Sequence, residues 1–101
     1  MKQTLVTYTT KPEWAEENAR LVGDVFSELH ERAPEGLAYL VLRRDDGTFL
    51  HLFRQEDGAP ALSELEAFRT FQKSAGERCR ERPVATDITI VGSYGVVSNA
   101  V

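Results

Sequence analysis

Leu37-Ala38-Tyr39-Leu40-Val41-Leu42 and Phe49-Leu50-His51-Leu52-Phe53, separated by a link containing Asp45-Asp46-Gly47, decide the architecture of this chain. Both runs are short, apolar and bounded by polar residues, so each reads as a strand. Asp-Gly between two such runs is a strong hairpin signal, because glycine supplies the positive φ that a tight return needs. With the turn centred on Asp46-Gly47, Leu42 pairs across from His51 and Leu40 shares its face. Tyr39, Arg43 and Arg54 then fall on the opposite face, as interface contacts or an anion site. A sheet with helices on one side normally offers water a polar second face. Here six consecutive apolar residues fill the first strand, and the second has Phe49, His51 and Phe53 on one side with Leu50 and Leu52 on the other. Each large side chain left in water forgoes about 1.5–3 kcal/mol of burial. The expectation is a homodimer packed sheet to sheet about a two-fold axis. A monomer with an apolar groove for a ligand is the alternative.

The rest of the chain fits around this hairpin. Residues 2–9, with Thr4, Val6, Thr7 and Tyr8, read as a first strand. Thr10 and Glu13 have capping-box spacing, with Pro12 in the first turn. Trp14, Asn18, Leu21, Val22, Val25, Phe26 and Leu29 follow at steps of three and four, which predicts a helix closed by Ala33-Pro34-Glu35-Gly36. After the hairpin, Ser63 and Glu66 form a second capping box. Leu65, Phe68, Gln72, Ala75 and Cys79 then predict a second helix that Pro83 closes, and Val84 to Val91 alternate as a fourth strand ending at Gly92. The order βαββαβ is that of a ferredoxin-like α+β fold: four antiparallel strands with both helices on one face. One domain is expected over residues 1–95, with a C-terminal tail over 96–101.

At 101 residues there is room for one domain only. The net charge of −4 argues against a nucleic-acid partner, which would need a clustered positive field. Arg78-Cys79-Arg80-Glu81-Arg82 lies where the second helix should end, and cations there complement the helix dipole. Cys79 is the single cysteine, so no internal disulfide can form. Met1 to Val6 lacks the apolar stretch of a signal peptide, and no run approaches a membrane span. A cytoplasmic location, with no membrane partner, is the expectation.

His51 is the chief candidate for chemistry. Burial between Phe49 and Phe53 should lower its pKa and leave a neutral imidazole able to act as a base. The alternative is a core histidine with structural hydrogen bonds. Asn18 lies four residues after Trp14 on the inner stripe of the first helix, where an amide needs partners: it could orient a ligand carbonyl or serve structure alone. Phe68 and Phe71 could wall an aromatic-binding cavity, or simply fill the core. Metal binding is not expected, because His30, His51 and Cys79 lack zinc-ligand spacing. No glycine-rich loop opens a helix. Gly92-Ser93-Tyr94-Gly95 lacks the following helix of a nucleophile elbow.

Three stretches carry a family resemblance: Asp46-Gly47-Thr48-Phe49-Leu50-His51-Leu52, Leu65-Glu66-Ala67-Phe68-Arg69-Thr70-Phe71-Gln72 and Val91-Gly92-Ser93-Tyr94. Together with the element order, they resemble the antibiotic biosynthesis monooxygenase-like group of the dimeric α+β barrel superfamily, over nearly the whole chain. The superfamily includes cofactor-free oxygenases, haem-degrading enzymes and lactone isomerases, so the fold alone does not transfer a reaction. The resemblance implies a cofactor-independent oxygenase acting on a small aromatic or polyketide-type molecule. An acidic phenol or anthrone would be deprotonated, and its carbanion would pass an electron to oxygen. His51 would be the base, with Trp14, Phe49, Phe53, Phe68 and Phe71 excluding water. The haem-degrading relatives ligate haem through a histidine on the second helix, which this chain lacks, so no cofactor is expected. The contrasting expectation is a non-catalytic dimer that binds a small hydrophobic ligand or regulates another protein. An isomerase-type proton shuffle would need a second acid or base near His51.

Overall fold

A computed structural model of the chain describes residues 1–96. Strand β1 (Lys2–Thr10) runs into a 3-10 turn (Pro12–Trp14) and helix α1 (Ala15–Arg32). Strands β2 (Leu37–Arg43) and β3 (Thr48–Gln55) form the hairpin. A second 3-10 turn (Leu62–Glu64) precedes α2 (Glu66–Lys73), the short α3 (Ala75–Arg78) and β4 (Cys79–Asp87). The sheet is antiparallel throughout, in the order β2-β3-β1-β4. This is the ferredoxin-like α+β arrangement expected from the order of elements. Most of the tail expected over 96–101 lies outside the described residues.

The helices cover one face of the sheet. Tyr8 and Phe49 from the strands pack there with Val22 and Val25 of α1, and with Leu62, Leu65 and Phe71 from the second helical segment. The opposite face carries rows read directly from the register: Leu42, Leu50, Thr7 and Val84, then Leu40, Leu52, Leu5 and Thr86. Leu42 is 52% exposed and Val84 64%.

The hairpin register differs by one residue from the sequence expectation. Val41, not Leu42, stands opposite His51, and Tyr39 stands opposite Phe53. The return takes three residues, Asp45 to Gly47: the Arg44 amide donates to the Thr48 carbonyl at 2.8 Å, and Gly47 sits at φ 88°. Such a loop, with glycine in the left-handed position, competes closely with the two-residue turn that Asp-Gly suggests. A one-residue slip transfers side chains to the other face. Tyr39 and Arg43 therefore share the helix-covered face with His51, while Leu40 and Leu42 move to the bare face. Arg54 stays opposite His51, as expected.

The second half departs further. The helical run breaks at Ser74 and ends at Arg78, so Cys79 begins β4 rather than closing a helix. The strand expected over 84–91 runs over 79–87, with Pro83 inside it. β4 is an edge strand, and Pro83 falls at the register shift between Thr7 and Thr9, where its missing N–H is tolerated. The Ser63–Glu66 capping box does not form either. The free N–H groups of Glu66 and Ala67 donate instead to the Glu28 carboxylate of α1, at 3.3 and 2.8 Å, which ties the two helices together. Thr10 likewise bonds the Gly47 carbonyl rather than capping α1.

Candidate functional site

Between the sheet and the second helical segment lies a cleft of about 210 Å³. Its sheet wall is Val6, Tyr8, Tyr39, His51 and Phe53; Leu62, Phe68 and Phe71 face them, and Gln72 and Pro83 stand at the exposed rim. An apolar cavity of about 150 Å³ accepts benzene, so this volume suits a molecule of one or two fused rings.

His51 is 5% exposed, and both of its ring nitrogens are engaged. The Tyr8 hydroxyl lies 2.7 Å from Nε2, and the Tyr39 hydroxyl lies 2.6 Å from Nδ1. The strands dictate this: Tyr8 comes from β1 and Tyr39 from β2, on either side of His51 on β3, all projecting from one face. Burial pushes the His51 pKa down from 6.5 to about 4, so the imidazole is neutral at physiological pH. Burial also raises both tyrosine pKa values well above the ordinary phenol value, and keeps both hydroxyls protonated.

A second layer of polar groups stands behind Tyr8. Asn18 of α1, 1% exposed, donates from Nδ2 to the Tyr8 hydroxyl at 2.8 Å. Its Oδ1 accepts from Arg78 Nε at 3.0 Å. Arg78 is itself only 2% exposed, donates from Nη2 to the Phe71 carbonyl at 2.7 Å, and lies over the Phe71 ring. Among the described residues Arg78 has no carboxylate within ion-pair distance. The sequence reading of Arg78 as a helix-end cation holds for its bond to a carbonyl of α2's last turn, but the guanidinium turns inward.

Of the residues singled out from sequence, His51, Phe53, Phe68 and Phe71 meet at the cleft. Phe49 stacks on the Tyr8 ring at 5.5 Å between centroids, behind the wall. Asn18 reaches the site through Tyr8. Trp14 does not join it: as the last residue of the 3-10 turn it leaves the α-helical stripe and is 38% exposed. The period of a 3-10 turn is 3.0, so spacing counted at 3.6 misplaces it. Tyr8 and Arg78 are not among the sequence candidates for the site, and Tyr39 is a candidate only on the opposite face. Alternation along β1 places Tyr8 with Val6 on the buried face, and a three-residue loop would have brought Tyr39 over; nothing local marks Arg78 as buried. Among the described residues, no three His, Cys, Asp or Glu side chains gather as a metal would require.

With this geometry the class is clear: a ferredoxin-like α+β domain with an apolar cleft over a histidine held between two tyrosines. Its fold is that of the antibiotic biosynthesis monooxygenase-like structures. A Nitrosomonas europaea protein provisionally assigned as such a monooxygenase superposes with a TM-score of 0.73 at 15% identity, covering 91% of this chain and all (100%) of that one. A Caulobacter crescentus protein with the same provisional assignment gives 0.69 at 18% identity, over 89% of each chain. A Mycobacterium tuberculosis protein gives 0.67 at 14%, covering 90% of this chain and 95% of that one. At these identities the likeness speaks for the fold. No protein-family model matches the chain, and no curated protein matches it. No helix among the described residues is long and apolar enough to cross a membrane.

Proposed function

We propose that the chain is a cofactor-independent oxygenase for a small aromatic or polyketide-type substrate, acting in the cytoplasm as a homodimer. The observation that carries this reading is an apolar cleft, sized for one or two rings, whose polar end is the Tyr8–His51–Tyr39 cluster. An acidic phenol or anthrone binds as its anion, its proton released to solvent on entry to the cleft, and the reacting carbon of the anion passes one electron to O2. The resulting radical and superoxide combine to form a C–O bond, the peroxide anion takes a proton back from solvent, and the hydroperoxide then expels water. The net change is CH2 plus O2 to C=O plus H2O. Phe53, Phe68 and Phe71 keep bulk water from the reacting carbon. Because both imidazole nitrogens are engaged, His51 acts on the substrate through the Tyr39 hydroxyl. The dimer reading rests on the bare apolar face of the sheet, which a second copy would cover.

Oxygen uptake measured over a panel of hydroquinones and anthrones tests the proposal. Wild type should consume oxygen at least about tenfold faster than His51→Ala and Tyr39→Phe, the order of one general-acid or hydrogen-bonding contribution. Equal rates in all three would remove the cluster from any catalytic role. The second reading, a non-catalytic dimer that binds a small hydrophobic ligand, is favoured by the absence, among the described residues, of an unengaged base in the cleft. Native mass spectrometry finding a bound aromatic in a protein that consumes no oxygen would select it.

A further inference from the structure

The hydrogen bonds around His51 have a direction, and the residue that sets it does not itself line the cleft. Arg78 can only donate, so its contact with Asn18 fixes the amide with Oδ1 toward the guanidinium and Nδ2 toward Tyr8. The Tyr8 oxygen thus accepts from Asn18, and its own hydrogen needs an acceptor in a site 3% exposed. His51 Nε2, at 2.7 Å, is the acceptor in reach. Were Nε2 protonated instead, two donors would converge on the Tyr8 oxygen and its hydrogen would be buried without a partner, an arrangement proteins avoid. The neutral ring therefore carries its proton on Nδ1 and donates it to the Tyr39 oxygen. That leaves the Tyr39 hydrogen without an acceptor among the described residues, on a side chain that lines the cleft.

We propose that the cleft is an oxyanion-binding site in which Tyr39 is the donor to the ligand, and Arg78, Asn18, Tyr8 and His51 are positioning residues that orient and polarise it. Every bond in the series Arg78–Asn18–Tyr8–His51–Tyr39 donates toward the cleft, starting from a buried cation with no carboxylate partner among the described residues. Aligned donors polarise one another, and a hydrogen bond to the charged form of a ligand favours that form. The preferred ligand is a planar one- or two-ring molecule bearing an ionised phenol or enol oxygen, bound as the anion with its ring against Phe53, Phe68 and Phe71. This deepens the oxygenase reading, which needs the substrate ionised before it meets O2, but it concerns binding alone.

Para-nitrophenol is a suitable probe because its phenolate absorbs visible light. On binding, its ionisation midpoint should fall by about one pH unit, an anion held roughly tenfold tighter than the neutral phenol. Tyr39→Phe should abolish the shift while the neutral phenol still binds, and Asn18→Leu should shrink it. No binding, an unshifted or raised midpoint, or a shift that survives Tyr39→Phe would each overturn the proposal. Nitrogen NMR of imidazole-labelled wild type, with the other ring assigned through His30→Gln, gives a test that needs no site variant. His51 should be the Nδ1–H tautomer, and an Nε2–H tautomer would overturn the argument. Phenolate binding without oxygen uptake would keep this site and remove the oxygenase. Oxygen uptake without a midpoint shift would do the reverse.

Discussion

The two faces of the sheet invert the usual division of polarity. The face under the helices, shielded from water, holds His51, Asn18 and Arg78, each no more than 5% exposed, together with the Tyr8 hydroxyl. The bare face, which an antiparallel sheet normally turns to solvent, is made largely of Leu5, Leu40, Leu42, Leu50, Leu52 and Val84. Buried polar groups cost free energy even when satisfied, and apolar replacements of the same shape are often neutral or better for stability. A bonded series that spans α1, three strands and the end of α3 is therefore better explained by chemistry at the cleft than by stability. The bare face calls for the opposite explanation: apolar surface of this kind is what the proposed second copy would cover.

The largest effect is expected from the bare face. In a two-fold interface Leu52→Glu would remove two buried leucines at about 1.5–3 kcal/mol each and add two desolvated charges, which weakens association by at least about a hundredfold. Sedimentation equilibrium measures this, and a wild type that is monomeric at micromolar concentration would sink the dimer.

On the covered face the pH dependence of stability isolates His51. Its pKa is pushed down to about 4 in the fold, so between roughly pH 4 and 6.5 the unfolded chain binds a proton that the folded chain refuses. The contribution of the neutral ring is complete above about pH 6.5 and is lost as pH falls toward 4. Urea unfolding should show wild type losing about 2–3 kcal/mol more than His51→Gln between about pH 7 and 4.5. Matching losses would mean that the imidazole is not held neutral.

A smaller effect is expected at the hairpin that assigns residues to the two faces. Gly47 sits at φ 88°, and a Cβ there would lie 3.3 Å from Thr10 Oγ1. Gly47→Ala should cost about 1–2 kcal/mol in thermal or chemical unfolding. A stability unchanged from wild type would mean that the loop can close without the left-handed residue, and the register argument would weaken.

How much was legible in the sequence follows this same division. His51, Phe53, Phe68 and Phe71 could be placed because period-two and period-3.6 patterns report which way a side chain faces within its own element. Sequence alone puts Tyr39 on the wrong face, because two- and three-residue hairpin loops are close in energy and Asp45-Asp46-Gly47 permits either. Pro83 reads as a helix terminator in isolation, yet an edge strand with an irregular register accommodates it. Trp14 fell off the helical stripe because the chain begins that helix with a 3-10 turn.

What the sequence determined by itself was the order of elements, the ferredoxin-like class and the excess of apolar surface on the hairpin, all properties of short-range periodicity. Tertiary structure decided the rest. Asn18 and Arg78 are 60 residues apart, and Tyr8 and His51 are 43 apart. No local pattern encodes such pairings; they arise when packing removes water and every buried donor must find an acceptor.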